Sequence, residues 1–95
     1  MKNKIFDLVR KIPYGKITTY KEIAFKLNIN PRVVGKILSE NENLSKIKCY
    51  KVVRSDGRVG GYILGKPEKI RRLKEENIEI EKDIIINFKE RLHKF

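Results

Sequence analysis

Helix-breaking residues divide the first forty residues into three short segments, and this division is the strongest constraint on the fold. Pro13 and Gly15 interrupt the chain after the first segment, and Pro31 follows a short polar break after the second. Within each segment the apolar residues recur at helical spacing, so each segment has one face to bury. The division therefore predicts an N-terminal half built from three amphipathic helices.

The first two helices are indicated by apolar spacing and by capping residues. The first is predicted over residues 3–12, from the apolar positions Ile5, Leu8, Val9 and Ile12. Thr19 is followed three residues later by Glu22, which is the spacing of a capping box. A second helix is therefore predicted over residues 20–27, with an apolar face made of Ile23, Ala24 and Leu27.

The third helix is predicted over residues 31–40, because Asn30 can cap it and Pro31 suits its first position. Four apolar residues are expected to face inward: Val33, Val34, Ile37 and Leu38. Three charged residues are expected to face outward: Arg32, Lys36 and Glu40. Two short helices with about four residues between them, the second one basic, are typical of a helix-turn-helix.

The second half of the chain is predicted to contain a loop at 41–48 and then a β-hairpin. Its strands are 50–53 and 59–63, joined by a turn at 55–58 that contains Asp-Gly. A helix is expected over about 67–77. The tail alternates and then becomes helical, at Ile78 and Ile80 and then at Ile84, Phe88 and Leu92. The predicted fold class is mainly α with a small β-hairpin, a winged helix-turn-helix-like DNA-binding domain that forms one domain over 1–95.

The charge is concentrated in one part of the chain and indicates a polyanionic partner. Of the 95 residues, 1–58 contain 14 basic and 5 acidic side chains, whereas 59–95 contain 9 and 7. The net charge of +11 favours nucleic acid, although a general lysine bias could supply part of it. No apolar run approaches the roughly 20 residues of a membrane span, and no signal peptide is visible. We expect a monomeric cytoplasmic domain.

The single cysteine is a candidate nucleophile. Cys49 lies between Lys48 and Lys51, and nearby cations stabilise the reactive thiolate form. The alternative is a small buried apolar residue, which is how most lone cysteines behave. Cys49 cannot form an internal disulfide, and together with the one histidine, His93, it cannot make a zinc site. We therefore expect no metal and no cofactor.

Five motifs taken together resemble the O6-alkylguanine-DNA alkyltransferases over about residues 5–77. Ile12 to Tyr20 resembles the family's IPxGxVxTY, and Pro31 to Gly35 its ARAVG helix. Lys48 to Val53 corresponds to PCHRVV, Ser55 to Tyr62 to xxGxxGGY, and Lys69 to Glu76 to KxxLLxxE. Each motif alone is weak, but their joint order and spacing are specific.

The resemblance implies direct repair of double-stranded DNA containing O6-alkylguanine. The target nucleotide is flipped out of the duplex and its alkyl group is moved irreversibly onto a cysteine. By motif position, Cys49 is the acceptor and Glu76 holds the relay that draws the thiol proton away. Asn41 braces the turn before the cysteine loop, and Tyr50 stands where the family has its relay histidine.

The resemblance also assigns residues to the DNA and to the flipped base. Arg32 fills the space that the nucleotide vacates, and Tyr20 crowds the 3′ phosphate. Other residues expected at the DNA are Thr19, Gly35, Lys36 and Lys51. The base pocket is expected to consist of Leu38, Val52, Val59, Gly60, Gly61, Tyr62 and Ile63.

Three substitutions within the motifs leave the activity open. Tyr50 replaces histidine, and a phenol with a reference pKa near 10 is a poor base at neutral pH. Lys48 replaces the proline before the cysteine, and Lys51 replaces an arginine. The N-terminal domain usual in full-length alkyltransferases is also not expected here. Two other functions therefore remain: an alkyltransferase-like protein that binds the lesion without transfer, and a helix-turn-helix regulator.

Overall fold

A computed structural model describes residues 1–95 and places helices in all three N-terminal segments. Helix α1 spans Lys2–Arg10, α2 spans Tyr20–Leu27 and α3 spans Pro31–Ser39. The first helix ends two residues earlier than predicted, yet Ile12 remains buried just beyond it. The predicted three-helix half is confirmed.

Side-chain caps determine where α2 and α3 begin. The Thr19 hydroxyl accepts a hydrogen bond of 3.0 Å from the Glu22 amide, and the Asn30 side chain accepts one of 2.9 Å from the Arg32 amide. Asn28 ends α2 in the left-handed conformation, at φ 56°, which asparagine tolerates better than most residues. These three local signals produce the helix-turn-helix.

One inward assignment on α3 is wrong. Val34 and Leu38, four residues apart, form the buried stripe, and Ile37 is half-buried beside them. Val33 is 40% exposed, because it lies about a quarter-turn to the side of that stripe. The α1–α3 core is completed by buried residues that include Ile5, Val9, Ile23 and Ala24.

A short parallel strand pair joins the helix-turn-helix to the cysteine segment. Strand β1, Thr18–Thr19, precedes α2 directly, and it pairs with β2, Val52–Val53. A single 3₁₀ turn, Cys49–Lys51, leads into β2. The pairing therefore holds the cysteine segment beside the start of α2.

The predicted return strand over 59–63 is wrong. The turn before it does form, because the Arg54 amide donates to the Arg58 carbonyl at 2.9 Å. Beyond the turn, however, the Val59 amide donates to the Asp83 carbonyl at 3.0 Å, so the chain joins the C-terminal tail instead of β2. Strand β2 pairs with β1 alone, and the segment after the turn takes its hydrogen bonds from the tail.

The antiparallel hairpin lies in the tail instead. After helix α4, Lys66–Glu75, strand β3, Ile80–Glu81, pairs with β4, Ile84–Ile85. The two residues between the strands both have positive φ, the geometry of a tight two-residue hairpin loop. The helix expected from Ile84 begins only at α5, Phe88–Arg91, because the hairpin uses the two isoleucines as strand.

Packing of the tail creates a second buried cluster, which includes Ile17, Tyr50, Val53, Val59, Leu73, Ile78 and Ile85. The architecture is mainly helical with two small sheets, and the predicted fold class is confirmed. None of the helices combines the length and apolarity needed to cross a bilayer.

Candidate active site and DNA-facing surface

A cleft of about 310 Å³ opens between α3, the cysteine segment and the loop before α4. Its walls are largely apolar, and its lining residues are Tyr20, Gly35, Leu38, Ser39, Cys49, Gly61, Tyr62 and Ile63. Cys49 is 6% exposed. The volume lies at the lower end of the range of about 300–1,000 Å³ for small-molecule sites.

An asparagine holds the loop that precedes the cysteine. Asn41 is buried, and its side-chain amide donates to the Ile47 carbonyl at 2.9 Å and to the Cys49 sulfur at 3.5 Å. Its side-chain oxygen accepts a hydrogen bond from the Asn43 amide at 2.9 Å. One side chain thus fixes both the loop and the position of the sulfur.

A closed polar cluster lies on the other side of the 3₁₀ turn. It consists of Tyr50, Lys51 and Glu76, and we call it the glutamate cluster. Lys51 Nζ lies 2.8 Å from one Glu76 carboxylate oxygen, and the Tyr50 hydroxyl donates to the other. The Gly15 amide donates to Glu76 at 2.9 Å, and Lys51 Nζ also donates to the Pro13 carbonyl at 2.7 Å.

These contacts shift the titration of the cluster. Burial alone would raise the pKa of Glu76, but hydrogen bonds from Lys51, Tyr50 and Gly15 outweigh it and lower that pKa. Burial, assisted by the bond to Glu76, raises the pKa of Tyr50 far above its usual range. Burial lowers the pKa of Lys51, and its bond to Glu76 acts in the opposite direction. The cluster therefore surrounds one carboxylate with donors from a lysine, a phenol and a backbone amide.

A second lysine, to which the sequence assigned no role, extends from α4 to a residue of the cleft wall. Lys69 is fully buried, and Nζ donates to the Val52 carbonyl at 2.7 Å and to the Gly61 carbonyl at 2.9 Å. Nζ also lies 5.8 Å from the centre of the Tyr20 ring. Burial lowers the pKa of Lys69 to about 8.

The residues assigned to DNA separate into two groups. Arg32 and Lys36 are exposed on α3, and Tyr20 and Gly35 line the cleft. Thr19 is buried as the cap of α2. Lys51 does not reach this surface either, because its ammonium faces inward to Glu76.

The residues assigned to the base pocket also divide. Leu38, Gly61, Tyr62 and Ile63 line the cleft, whereas Val52 and Val59 are fully buried in the two cores. Gly60 does not line it; a β-carbon there would lie 3.2 Å from the Arg54 side chain, and its φ is +78°. Within the segment 59–63, Val59 is in the core and Gly61 to Ile63 line the cleft, a division that motif position alone does not reveal.

The sequence did not predict two residues that the structure places in or next to the cleft wall, Ser39 and Lys69. Ser39, the last residue of α3, lines the cleft next to the predicted Leu38, and helical spacing alone does not indicate this. Lys69 opens the KxxLLxxE motif, and that position was the available signal. Its burial depends on how α4 packs against β2.

Comparison with known proteins identifies the family of the chain and supports its fold. A family model described as 6-O-methylguanine DNA methyltransferase, DNA binding domain, matches residues 1–78. The chain belongs to this family. A family relative, a bifunctional methyltransferase/endonuclease of Picrophilus torridus, is 46% identical over 78 residues, which are 80% of this chain and 26% of that protein.

Two further matches differ in how much of their own length the chain covers. A methylated-DNA–protein-cysteine methyltransferase of Saccharolobus islandicus is 43% identical over 76 residues, 80% of this chain and 50% of the relative. The chain thus spans between a quarter and a half of the length of these curated relatives. S. pombe Atl1, solved in complex with damaged DNA containing O6-carboxymethylguanine, has a TM-score of 0.88 at 28% identity, covering 99% of this chain and 94% of that one.

Proposed function

We propose that this domain repairs O6-alkylguanine in double-stranded DNA by moving the alkyl group onto Cys49. The observation that carries the proposal is the position of the cysteine in the wall of a largely apolar cleft that is also lined by α3, the helix on which Arg32 is exposed. The family model and the relatives named as methyltransferases support it. We expect the domain to act as a monomer in the cytoplasm.

DNA binding in this proposal depends on phosphates and on nucleotide flipping. The excess of basic residues lies within 1–58, which include α3, so affinity should come mainly from phosphate contacts and fall with salt. The O6 atom is hidden in the base stack, so the nucleotide must leave the duplex. Arg32 takes the vacated space, and Tyr20, at the cleft, crowds the adjoining phosphate.

The chemical step is a displacement at the alkyl carbon. The thiol of Cys49 first loses its proton to solvent. The sulfur then forms a bond to the alkyl carbon as the carbon–O6 bond breaks with its electron pair, and the guanine anion takes up a proton. The reaction is stoichiometric, because nothing in it regenerates the thiol.

A second candidate is binding of the lesion without transfer. Two observations favour it: the Tyr50 hydroxyl is committed to Glu76 in place of a histidine relay, and Atl1 matches this chain over nearly its whole length. In that case the cleft holds the flipped base and other repair proteins complete the work. Retention of Cys49 in the cleft favours transfer.

One mass measurement separates the two candidates. The protein is incubated with an oligonucleotide duplex containing O6-methylguanine, and its intact mass is recorded beside that of Cys49→Ser. A gain of one methyl group in the wild type alone supports transfer. Preferential binding of the lesion duplex with no gain in mass rejects transfer and supports the second candidate. Equal affinity for damaged and undamaged duplex rejects both.

A further inference from the structure

Residues 60–64 supply part of the cleft wall, yet they belong to no helix or strand. We call them the glycine segment, because the first two are glycines, and the first of these has a φ of +78°. Glycine loses more conformational freedom on folding than any other residue, so such a segment needs contacts from outside it to keep one position. Ile63 and Leu64 are 51% and 50% exposed, which leaves Tyr62 as the side chain that can anchor it.

Tyr62 is held from two sides. Its ring packs against both cores and meets the Tyr50 ring edge-on, with centroids 6.5 Å apart. Arg72 of α4 donates from Nη1 to the Tyr62 hydroxyl at 3.1 Å, and its guanidinium carbon lies 5.7 Å from the centre of the Tyr62 ring. The backbone of the glycine segment is bonded to Lys69 at the Gly61 carbonyl, so Arg72 provides a second link to α4.

Arg72 is itself held by Glu68, which lies one turn earlier on α4. Arg72 Nε donates to a Glu68 carboxylate oxygen at 2.7 Å, while Nη1 of the same planar group reaches Tyr62. Hydrogen bonds from Arg71 and Arg72 hold the pKa of Glu68 at about 2, so this carboxylate is ionised near neutral pH. Glu68, Arg72 and Tyr62 therefore form a continuous chain of contacts from α4 to the cleft wall.

The helix itself does not account for Arg72. This residue stands where the KxxLLxxE motif has its first leucine, and leucine and arginine are similarly good helix formers. Arg71, the preceding residue, also forms an ion pair with Glu68 at 2.6 Å, and it has no bond to Tyr62. Ion pairs at a helix surface contribute little to stability. The bond to Tyr62 is thus the contact that distinguishes Arg72 from its neighbour.

We propose that Arg72 is a positioning residue, which holds Tyr62 and the glycine segment in the form that accepts a flipped base. The inference rests on the proposed function, because that function makes the flipped base the ligand of the cleft. A wall that is fixed before binding loses less conformational entropy when the base enters, so the lesion is bound more tightly. The phosphate contacts proposed for α3 do not involve this wall, so binding of undamaged duplex does not depend on Arg72.

DNA binding is the first measurement. Arg72→Leu should weaken binding of O6-methylguanine duplex about tenfold and change the affinity for undamaged duplex less than about twofold. Arg71→Leu is the matched control, because it removes the same charge from the next position of α4 and leaves the bond to Tyr62 in place. Both of its affinities should change less than about twofold. Equal losses for the two duplexes in Arg72→Leu, or equal losses in the two variants, would overturn the proposal.

A double-mutant cycle shows whether Arg72 acts through Tyr62. Tyr62→Phe removes the hydroxyl that Arg72 binds and keeps the ring. In the Tyr62→Phe protein, addition of Arg72→Leu should weaken binding of the lesion duplex less than about threefold, because the shared contact is already lost. An undiminished tenfold loss in that background would show that Arg72 acts without Tyr62, and the proposal would be wrong.

Amide hydrogen exchange tests the anchor in the free protein. The Gly65 amide donates to the Tyr62 carbonyl at 2.9 Å, so its exchange rate reports on the position of Tyr62. Arg72→Leu should speed this exchange about tenfold, whereas Arg71→Leu should not. The Val59 amide, which donates to the Asp83 carbonyl, should keep its wild-type rate in both variants. Equal acceleration of the Gly65 and Val59 amides would indicate general loosening of the fold and reject a specific anchor.

The two kinds of measurement separate this proposal from the proposed function. If the wild type binds damaged and undamaged duplex equally but Gly65 exchange depends on Arg72, the proposed function fails and the anchor assignment stands. If the wild type prefers the damaged duplex and Arg72→Leu keeps that preference, only the assignment of Arg72 fails.

Discussion

The glutamate cluster and the cleft lie on either side of the same 3₁₀ turn, yet they treat a buried lysine in opposite ways. In the glutamate cluster, Lys51 meets a carboxylate at 2.8 Å, and nearly every polar atom is bonded. At the cleft, whose volume is about 310 Å³, Lys69 donates only to backbone carbonyls, one of them that of the lining residue Gly61. The polar groups of the cluster are paired with one another, whereas the cleft is open and the lysine beside it has no carboxylate partner.

This difference indicates that the glutamate cluster stabilises the fold and that the cleft is the functional site. A buried ion pair is strongly destabilised when one partner is removed, because the other charge is left unpaired. A group that is buried, charged and incompletely paired beside a cleft is instead typical of a functional site. We therefore expect substitutions in the glutamate cluster to act mainly on stability, and substitutions in the cleft or on α3 to act mainly on DNA repair.

The largest effect is expected from Glu76→Ala. It strands the Lys51 ammonium and frees the Gly15 amide, so the free energy of unfolding should fall by about 3–5 kcal/mol in a urea titration. Glu75→Ala is the matched control, since that carboxylate is exposed and bonded only to Arg71, and its effect should be below about 1 kcal/mol. Similar losses for both variants would refute the closed-cluster interpretation.

The next effect is expected on α3. Arg32→Ala should slow transfer from O6-methylguanine duplex about 100-fold, because the flipped nucleotide is no longer held in place for attack. Its unfolding free energy should stay within about 0.5 kcal/mol of wild type, since the side chain is exposed. Lys36→Ala, also exposed on α3, should weaken binding to damaged and undamaged duplex alike. An unchanged transfer rate for Arg32→Ala would remove its assignment to the vacated space.

A smaller effect is expected from pH. The pKa of Glu76 is lowered in the folded state, so its stabilising contribution is present above the unfolded value of about 4.3 and is lost as the pH falls through the folded value. Urea midpoints measured from pH 7 to pH 3 should therefore decline more steeply in wild type than in Glu76→Gln. Glu68, whose pKa Arg71 and Arg72 hold at about 2, titrates in both proteins and cancels in the comparison. Parallel curves would contradict the assignment.

The smallest effect is expected from Ile63→Ala in the cleft wall. Ile63 is 51% exposed, so the free energy of unfolding should change by less than about 0.5 kcal/mol. Loss of its apolar contact with a flipped base should weaken binding of the lesion duplex about fivefold. Fluorescence anisotropy with damaged and undamaged duplex measures this. An equal loss for both duplexes would place Ile63 at the backbone of the DNA and not at the base.

Local signals predicted the helix-turn-helix because each acts over a few residues. The Thr19 and Asn30 caps each satisfy an amide two or three residues away, so spacing in the chain already specifies the contact. The hairpin was misplaced for the opposite reason. Strand β2 finds its partner in β1, more than thirty residues earlier, and no local pattern chooses between that strand and the nearer segment over 59–63.

The candidate site was predicted in part. Motif positions predicted Cys49, Tyr50 and Glu76 as site residues. In the structure Cys49 and Tyr50 belong to one 3₁₀ turn, and Tyr50 is bonded to Glu76. Motif positions did not predict where the side chains of Lys51 and Lys69 point. Lys51 was expected at the DNA but faces inward to Glu76, whereas Lys69 was given no role and is bonded to the cleft residue Gly61.

The sequence by itself determined the three helices, their caps, the basic surface of 1–58 and the family of the chain. These depend on spacing along the chain and on composition, which folding does not change. Only the tertiary structure decided which buried lysine meets a carboxylate and which meets only backbone carbonyls. Burial, charge pairing and solvent access depend on residues far apart in sequence, such as Gly15 with Glu76 and Val52 with Lys69, and these come together only when the two cores pack.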